Sequence, residues 1–598
     1  MSAPGVAPHA SNISSSPVMP WRPILLVWGL IMLLLLAVHW RAVPALHMAD
    51  PDDALRLVQV RDLLAGQPWF DLHQYRIMAP EGVLMHWSRL VDLPLAAVIV
   101  MLRPLLGQPI AEQAALIVVP ALTLLAALAL VMRTTCRLFD RDTAIISGIV
   151  VGLTGPLLHQ MQPLRIDHHG WQIVAALAAL AAWHDDDRRR GSAVLGIALA
   201  VGLAISLEGL PLAVLFIAGL VVRDGRHRRW DALASSTAAL AGTSIVLFLA
   251  LRGLVDGIEH CDAVSPMHLA AMVWAAAGCA ALAHWRPRNL AVVAAVLAVV
   301  AIGAAGILSL SAPQCVGGAF GGMDPYVKSH WLDNVREGRP VWGNGLVGCM
   351  ALIAAVPLGL LGCVQLLRQA RGDARMRWLG HGLILLGAAL VGLLVSRAMI
   401  TASALAILTA AWQLRQWRLA ALASPQLGRR IGITAAMLLA VMPVIPAAGY
   451  DALRSRLHPK PQDAGDGAQG CDFVRGLAPL DRLPATDVFA PLDIGPEILM
   501  RTHQRVVATA HHRGSAAIGD VLHGFMERPD QARPYVARRH AGLVVVCTRT
   551  PELGLYRRYA PQGLAAALLD GHPPAWLRPL PWPGGDSTGI AVWQVRQP

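Results

Sequence analysis

Four short stretches of the chain combine carboxylates, imidazoles and guanidinium groups at spacings that can do chemistry. The first reads His47-Met-Ala-Asp50-Pro-Asp52-Asp53-Ala-Leu-Arg56. Its three carboxylates can offer oxygen ligands to a hard divalent cation, and Asp50 or Asp52 can equally cap an amphipathic helix over 54–64. The second, Arg165-Ile-Asp167-His168-His169-Gly170-Trp171, sets a carboxylate and an imidazole two residues apart, where both can reach one metal ion. The third, Trp331-Leu-Asp333-Asn334-Val-Arg336-Glu337-Gly-Arg339-Pro340, carries a carboxylate, Glu337, that reads either as a solvated charge or as a group acting on a nucleophile. The fourth is Arg397, at the junction of two apolar runs, whose planar fork suits phosphate oxygens or an interfacial snorkelling position. Glu208, in Ser206-Leu207-Glu208-Gly209, reads as a turn cap.

The elements that must position these groups follow from composition. Of 598 residues, 55% are apolar and 15% charged, and the mean hydropathy is +0.51. That balance excludes a cytosolic enzyme, a disordered chain and a disulfide scaffold, and describes a polytopic α-helical membrane protein. The net charge of +12 sits in short clusters between apolar runs, as topology signals rather than a nucleic-acid surface. The eight cysteines show no Cys-x-x-Cys spacing for a structural metal.

A hydrocarbon core of roughly 30 Å needs about 20 apolar residues per helix. Runs that qualify are 21–41, 111–132, 143–160, 171–183, 191–207, 209–222, 232–252, 267–285, 289–310, 343–366, 378–396, 398–414 and 431–449. With the arginine clusters around residues 133–141, 188–190, 223–229, 286–288, 368–377 and 415–430 placed in the cytoplasm, parity closes on about 13 spans, the amino terminus inside and residues 1–20 a cytoplasmic tail. The apolar stretch 90–106 has to be excluded, because a crossing there would turn Arg133, Arg137 and Arg141 outward. It is expected to lie in or dip into the outer leaflet. The four chemical stretches then share the external face, 42–110 forms a large first loop with amphipathic helices, and 450–598 forms an external α/β domain with a β-like run over 543–547. The external cysteines, Cys261, Cys315, Cys471 and Cys547, are even in number and free to pair in an oxidising compartment.

Taken in order, these features resemble the catalytic subunit of oligosaccharyltransferases, in its archaeal and bacterial forms, within the GT-C class of membrane glycosyltransferases. Asp50-Pro followed by Arg56 is similar to the family's first acidic motif, and Met78-Ala-Pro-Glu-Gly82 through His86-Trp87 to Asp92 resembles the run that follows it. Asp167-His168-His169 matches the Asp-His-His form of the second motif, Glu337-Gly-Arg-Pro340 sits where the family has Glu before Pro, and Arg397 sits where a late helix supplies a lipid-phosphate arginine. The resemblance implies a GT-C-like catalytic domain over 21–449 and a periplasmic domain over 450–598. It also implies a bacterial inner-membrane location and metal-assisted inverting transfer of a sugar or oligosaccharide from a polyprenyl-(pyro)phosphate donor to a protein, lipid or glycan acceptor. In those terms Asp50 or Asp53, Asp167 and His169 hold Mn²⁺ or Mg²⁺, Arg397 clamps the donor phosphate, and Glu337 acts on the acceptor or completes the metal shell. Residues 90–106 could help bind the prenyl chain.

The family's Trp-Trp-Asp-Tyr-Gly acceptor motif is absent. Its nearest counterpart, Pro491-Leu492-Asp493-Ile494-Gly495, keeps the Asp and Gly, which makes Asp493 the acceptor-binding candidate beside His512 in His511-His512-Arg513. The loss of the tryptophans leaves open a transferase that uses a polyprenyl monophosphate sugar and a hydroxyl acceptor. A lipid-glycan flippase or transporter is a third reading, for which ionisable residues near the midplane and broken helices are expected.

Overall fold

The computed structural model describes residues 19–457 and 470–596, so the expected tail lies almost wholly outside the described residues. The helices up to residue 457 are α1 (Trp21–His39), α2 (Pro51–Leu64), α3 (Arg89–Leu106), α4 (Gln108–Leu138), α5 (Arg141–Leu153), α6 (Gly155–His159), α7 (His169–Trp183), α8 (Arg188–Ile205), α9 (Leu210–Gly225), α10 (Asp231–Leu251), α11 (Pro266–Trp285), α12 (Leu290–Ser311), α13 (Pro325–His330), α14 (Gly345–Ile353), α15 (Ala355–Gln369), α16 (Gly372–Leu394), α17 (Ser396–Ala423), α18 (Leu427–Val441) and α19 (Val444–Leu457).

Seven of them, α1, α4, α10, α11, α12, α16 and α17, are long and apolar enough to cross a membrane. Two pairs, α14 with α15 and α18 with α19, are bent by 42° and 79° and bring the number to nine if each is one span. The other four expected spans coincide with α5, α7, α8 and α9, which are shorter or begin on an arginine run and bury Trp183, Leu199 and Phe216 inside the bundle. The protein is thus a multi-pass membrane protein whose spans are less uniform than hydropathy implies. The arginine clusters gather at one end of the bundle, where Arg137 meets Asp185 at 3.9 Å, Arg377 meets Asp186 at 3.3 Å and Arg415 meets Asp140 at 3.1 Å.

The stretch expected to avoid crossing is α3. Its Leu95, Ala96 and Ile99 pack on Ala111, Ala115 and Val119 of α4, while Leu93, Met101 and Leu105 face outward. With 31 residues, α4 runs about 46 Å at 1.5 Å per residue, longer than a hydrocarbon core, so its first turns can carry α3.

Residues 470–596 form the expected α/β domain. After the small antiparallel pair β1 (His73–Gln74) and β2 (Val83–Leu84) of the first loop, the strands are β3 (Asp487–Phe489), β4 (Arg505–Val506), β5 (Ala541–Cys547), β6 (Leu577–Pro579) and β7 (Ile590–Val595), in the order β4-β3-β5-β7-β6. β3 runs parallel to β4 and β5, and β7 antiparallel to β5 and β6. Side-chain alternation along β5 divides two cores. Leu543, Val545 and Cys547 join a cluster with α2, α3 and the start of α4, and Val544 and Val546 join one with the helices on the sheet's other face. The domain is therefore packed onto the first loop through a shared apolar core. Disulfides Cys261–Cys315 and Cys471–Cys547 pair all four cysteines expected to be external.

Close helix packing depends on small residues. A Cβ on Gly196 of α8 would lie 2.2 Å from the carbonyl oxygen of Ser236 in α10, whereas one on Gly242 would meet nothing within 4 Å. Gly196→Leu is expected to cost about 1–3 kcal/mol or more through overpacking, read as a lowered Tm in detergent. Gly242→Ala should leave Tm nearly unchanged.

Candidate active site

The polar residues meet where the ends of α2, α7 and α17 approach the loop before α14. Asp50 caps α2, its Oδ1 accepting from the Asp52 amide at 3.0 Å, so the capping role holds for Asp50. Its Oδ2 lies 3.2 Å from Arg165. The loop that carries Arg165 and Asp167 is braced by Asp53. That buried carboxylate accepts from the amides of Ile166 and Asp167 at 2.8 and 2.9 Å through one oxygen and from Arg165 at 2.9 Å through the other. Both Asp53 oxygens are thereby engaged, so the ligand role expected of it does not fit: an ion there would have to displace three hydrogen bonds. Asp53 is a positioning residue, and burial still pushes its carboxyl up to about 7 against the pull of Arg165.

Asp52 faces the site instead. Desolvation, and then the charges of Asp50, Asp167 and Glu337, hold its carboxyl well above the usual range. Asp167 is oriented through Oδ1 by His168 at 2.6 Å and Arg56 at 3.4 Å. Arg56 in turn pairs with Asp92 at 3.0 Å, with Gln59 on the other Asp92 oxygen at 2.6 Å. Against the burial that would raise it, His168 and His169 hold the Asp167 carboxyl well below its ordinary value.

Oδ2 of Asp167 is left to face Nε2 of His169 at 3.5 Å, and that nitrogen lies 3.9 Å from Oε2 of Glu337. Nδ1 of His169 is 2.9 Å from the side-chain oxygen of Gln172, which fixes the ring with Nε2 turned toward the carboxylates. Asp167, His168 and His169 place ligand atoms within 4.8 Å of one another, a spacing at which groups can share one ion. The donors are carboxylate oxygens and an imidazole nitrogen, and the four acids Asp50, Asp52, Asp167 and Glu337 outnumber the cations Arg165 and Arg397. Such a set fits a divalent cation.

Glu337 sits on a single helical turn, Arg336–Gly338, tied to α17 where the Ser396 amide and hydroxyl donate to the Arg339 carbonyl at 2.9 and 2.6 Å. That brings Arg397 to 3.1 Å from Glu337 Oε1, and its second NH2 group lies 2.6 Å from Glu208. Glu208 is therefore a partner of Arg397 rather than a simple cap. Burial raises Glu337, but His169 and then Arg397 outweigh it and keep its carboxyl below the ordinary value. Arg397, His169 and Glu208 border a cavity of about 640 Å³ whose apolar wall includes Ile173, Leu199, Leu203, Leu215, Val391 and Ile400. Among the described residues its lining comes from α7, α8, α9, α16 and α17 together with the segment 315–320; residues 90–106, expected to contact a prenyl chain, lie elsewhere.

The C-terminal domain closes the site from above. Arg501 donates to the Ala45 and Leu46 carbonyls at 3.2 and 2.7 Å, and Arg61 to the Met500 carbonyl at 2.6 Å. Asp493 is exposed on this domain yet close enough to Asp50 for its charge to matter: desolvation, then Asp50, pushes its carboxyl up to about 6. The loop is held by Glu552, which accepts from the amides of Leu492 and Asp493 at 2.7 and 2.9 Å and bonds Tyr556. His512 borders the cavity and reaches Asp262 at 2.5 Å, while its neighbour His511 lies 2.8 Å from His86.

Sequence reasoning missed Asp52 as the inward carboxylate, Arg165, the Glu208 partner of Arg397, and the meeting of His86 with His511 and His512. Arg165 carried a signal, since an arginine on the external side runs against the positive-inside pattern.

Asp53→Ala removes the partner of a buried arginine and leaves two amides unpaired. It should destabilise the protein by about 3–5 kcal/mol, read as a lowered Tm and weakened divalent-cation binding. Burial, and then the Asp493 charge, push Glu552 up to about 8 from an ordinary 4.5. A raised carboxyl contributes stability in full below its unfolded pKa and loses it as pH rises through the folded one. The C-terminal domain should therefore loosen between about pH 5 and 9, and Glu552→Gln should flatten that dependence in hydrogen-exchange measurements.

No family model and no curated protein sequence matches the chain. Among solved structures, the fold is similar to the oligosaccharyltransferase AglB of Archaeoglobus fulgidus in complex with an inhibitory peptide and a dolichol-phosphate, at 14% identity and a TM-score of 0.61 over 91% of this chain and 72% of that one. The same archaeal enzyme tethered to an acceptor peptide containing an NVT sequon gives 15% identity and a TM-score of 0.59, over 91% and 72%. Its complex with zinc and sulfate gives 14% and 0.56, over 90% and 69%. The chain has a GT-C fold of the oligosaccharyltransferase type.

Proposed function

We propose that the protein is a membrane glycosyltransferase that moves a sugar or oligosaccharide from a polyprenyl-linked phosphate or pyrophosphate to an acceptor on the periplasmic side of a bacterial inner membrane. In this reading the amino terminus is cytoplasmic. The observation that carries it is the approach of His169 Nε2 to both Asp167 Oδ2 and Glu337 Oε2, with Arg397 on Glu337, where His169 and Arg397 border a largely apolar cavity. A cavity of that size, apolar with a few convergent polar groups, suits an amphiphilic ligand, its phosphate at Arg397 and its prenyl chain among Leu199, Leu203 and Val391.

Asp52, Asp167 and His169 would hold Mn²⁺ or Mg²⁺, which would supply Lewis-acid neutralisation of the departing phosphate, while Asp50 stays tied to Arg165 and to the start of α2. The remaining work belongs to side chains. Arg397 exchanges its contacts with Glu208 and Glu337 for phosphate oxygens, which its planar fork matches. Glu337, so released, takes the proton of the acceptor nucleophile as that atom bonds to the anomeric carbon; the carbon–oxygen bond to phosphate breaks, its electron pair leaves with the phosphate, and the configuration inverts. Asp53, Arg56 and Arg165 keep Asp167 in register, and Asp493 meets the acceptor from the C-terminal domain, with His512 bordering the same cavity.

The Asp493 loop, Pro491-Leu492-Asp493-Ile494-Gly495, contains no tryptophan. That favours a variant of the reading in which a polyprenyl monophosphate sugar is transferred to a hydroxyl of a glycan, lipid or protein. A lipid-glycan flippase is disfavoured because the convergent charges lie at one end of the bundle rather than at mid-depth.

The test is transfer from a polyprenyl-linked sugar by purified, reconstituted protein. EDTA should abolish turnover and Mn²⁺ or Mg²⁺ restore it. Asp167→Asn and Glu337→Gln should each lower kcat by about 10²–10⁴, and Arg397→Ala should raise the donor KM. Turnover indifferent to EDTA and to Asp167→Asn would remove the metal from the mechanism, and full kcat in Glu337→Gln would reduce Glu337 to a partner of Arg397.

A further inference from the structure

We propose that His86, His511 and His512 form a separate site for a zinc-like cation that ties the first extramembrane loop to the C-terminal domain. The candidate ligand atoms of the three imidazoles lie within 4.8 Å of one another. Ring centroids are 4.9 Å apart for His86 and His511, 4.8 Å for His86 and His512, and 5.1 Å for His511 and His512. The residues come from regions more than 400 positions apart in the chain, so only the docking of the two domains assembles them.

Hydrogen bonding alone satisfies this trio poorly. The 2.8 Å contact between His86 Nδ1 and His511 Nε2 can use one proton, and buried Nδ1 of His511 has no partner. Neutral imidazoles with lone pairs turned together are what a transition-metal ion recruits.

The surroundings orient the rings as metal-bound imidazoles are oriented. Asp262 Oδ2 takes Nε2 of His512 at 2.5 Å, leaving Nδ1 as its free donor, and Arg513 holds Asp262 at 2.6 and 2.8 Å, balancing that charge. Arg252 donates to the His86 carbonyl at 2.8 Å, and disulfide Cys261–Cys315 secures the loop that presents Asp262. An all-imidazole set selects zinc, nickel or copper over magnesium or manganese, so it differs in kind from the oxygen-rich group at Asp167. His86, His512 and Asp262 line the cavity, so an ion held there borders the proposed acceptor space.

The experiment uses full-length protein in detergent, stripped with chelator and titrated with Zn²⁺ alone, in an Asp167→Asn background that disables the other site. One equivalent of Zn²⁺ should still bind and raise Tm. His511→Gln or His512→Gln should abolish that binding, and Asp262→Asn should weaken it by about 10–100-fold. Co²⁺ in its place should give visible d–d absorption that His512→Gln removes. His512 is part-exposed at the cavity wall, so its variant serves if His511→Gln misfolds; monodispersity and far-UV circular dichroism report folding. Absence of Zn²⁺ from folded Asp167→Asn protein, or unchanged affinity in folded His512→Gln and Asp262→Asn proteins, overturns the proposal. Either result leaves the Asp167 site to be judged by EDTA-sensitive turnover in the wild type.

Discussion

Asp50, Asp52, Asp167 and Glu337 repel one another in a half-buried space, and Arg165 is the charge that lets the folded chain hold them close. It lies 3.2 Å from Asp50, 2.9 Å from Asp53 and 3.8 Å from Asp167, and its side chain is almost wholly buried. Because Arg165 occupies Asp53 and the outer side of Asp50, Asp52 and the inner oxygen of Asp167 remain turned to the space shared with His169 and Glu337. An unpaired buried arginine would be prohibitive, and so would an uncompensated carboxylate cluster. Each makes the other tolerable, and a residual excess of negative charge is left for a divalent ion.

The same loop solves a mechanical problem. Asp167 stands at the entry to α7, and small errors in such a position are costly in a site that works by alignment. Asp53 grips the loop's backbone amides, while Arg56 of α2 grips the Asp167 carboxylate and is itself held by Asp92 of α3, to which Gln59 also donates. In α3, Asp92 and Arg89 are structural parts of the site's floor, with Arg89 bonding the Trp69 and Asp71 carbonyls at 3.3 and 2.6 Å. The shared core beneath β5 then fixes the C-terminal domain over the same floor, so that Asp493 and the His511–His512 pair arrive from outside the bundle.

Much of this was legible in the linear chain. Alternation of arginine clusters with apolar runs anticipated that those clusters gather at one end of the bundle, and α3, which holds 90–106, is not among the helices long and apolar enough to cross a membrane. Asp167, His169, Glu337 and Arg397 were identifiable because charged and imidazole groups at a membrane boundary require a reason. The span reading was less secure where helices are short: α5, α7, α8 and α9 do not meet the length and apolarity of a full span, and each packs one face on neighbouring helices while Ile149, Ile197 and Val214 stay exposed.

The sequence by itself determined the alternation of apolar helices with arginine clusters and the inventory of chemical groups, because these depend on hydrophobic patterning and charge bias, both local properties. Only the tertiary structure decided which of Asp50, Asp52 and Asp53 faces inward, that Glu208 shares Arg397 with Glu337, and that His86 meets His511 and His512. Those outcomes are set by side-chain direction at a helix start and by docking between segments hundreds of residues apart, and neither leaves a periodic trace in the chain.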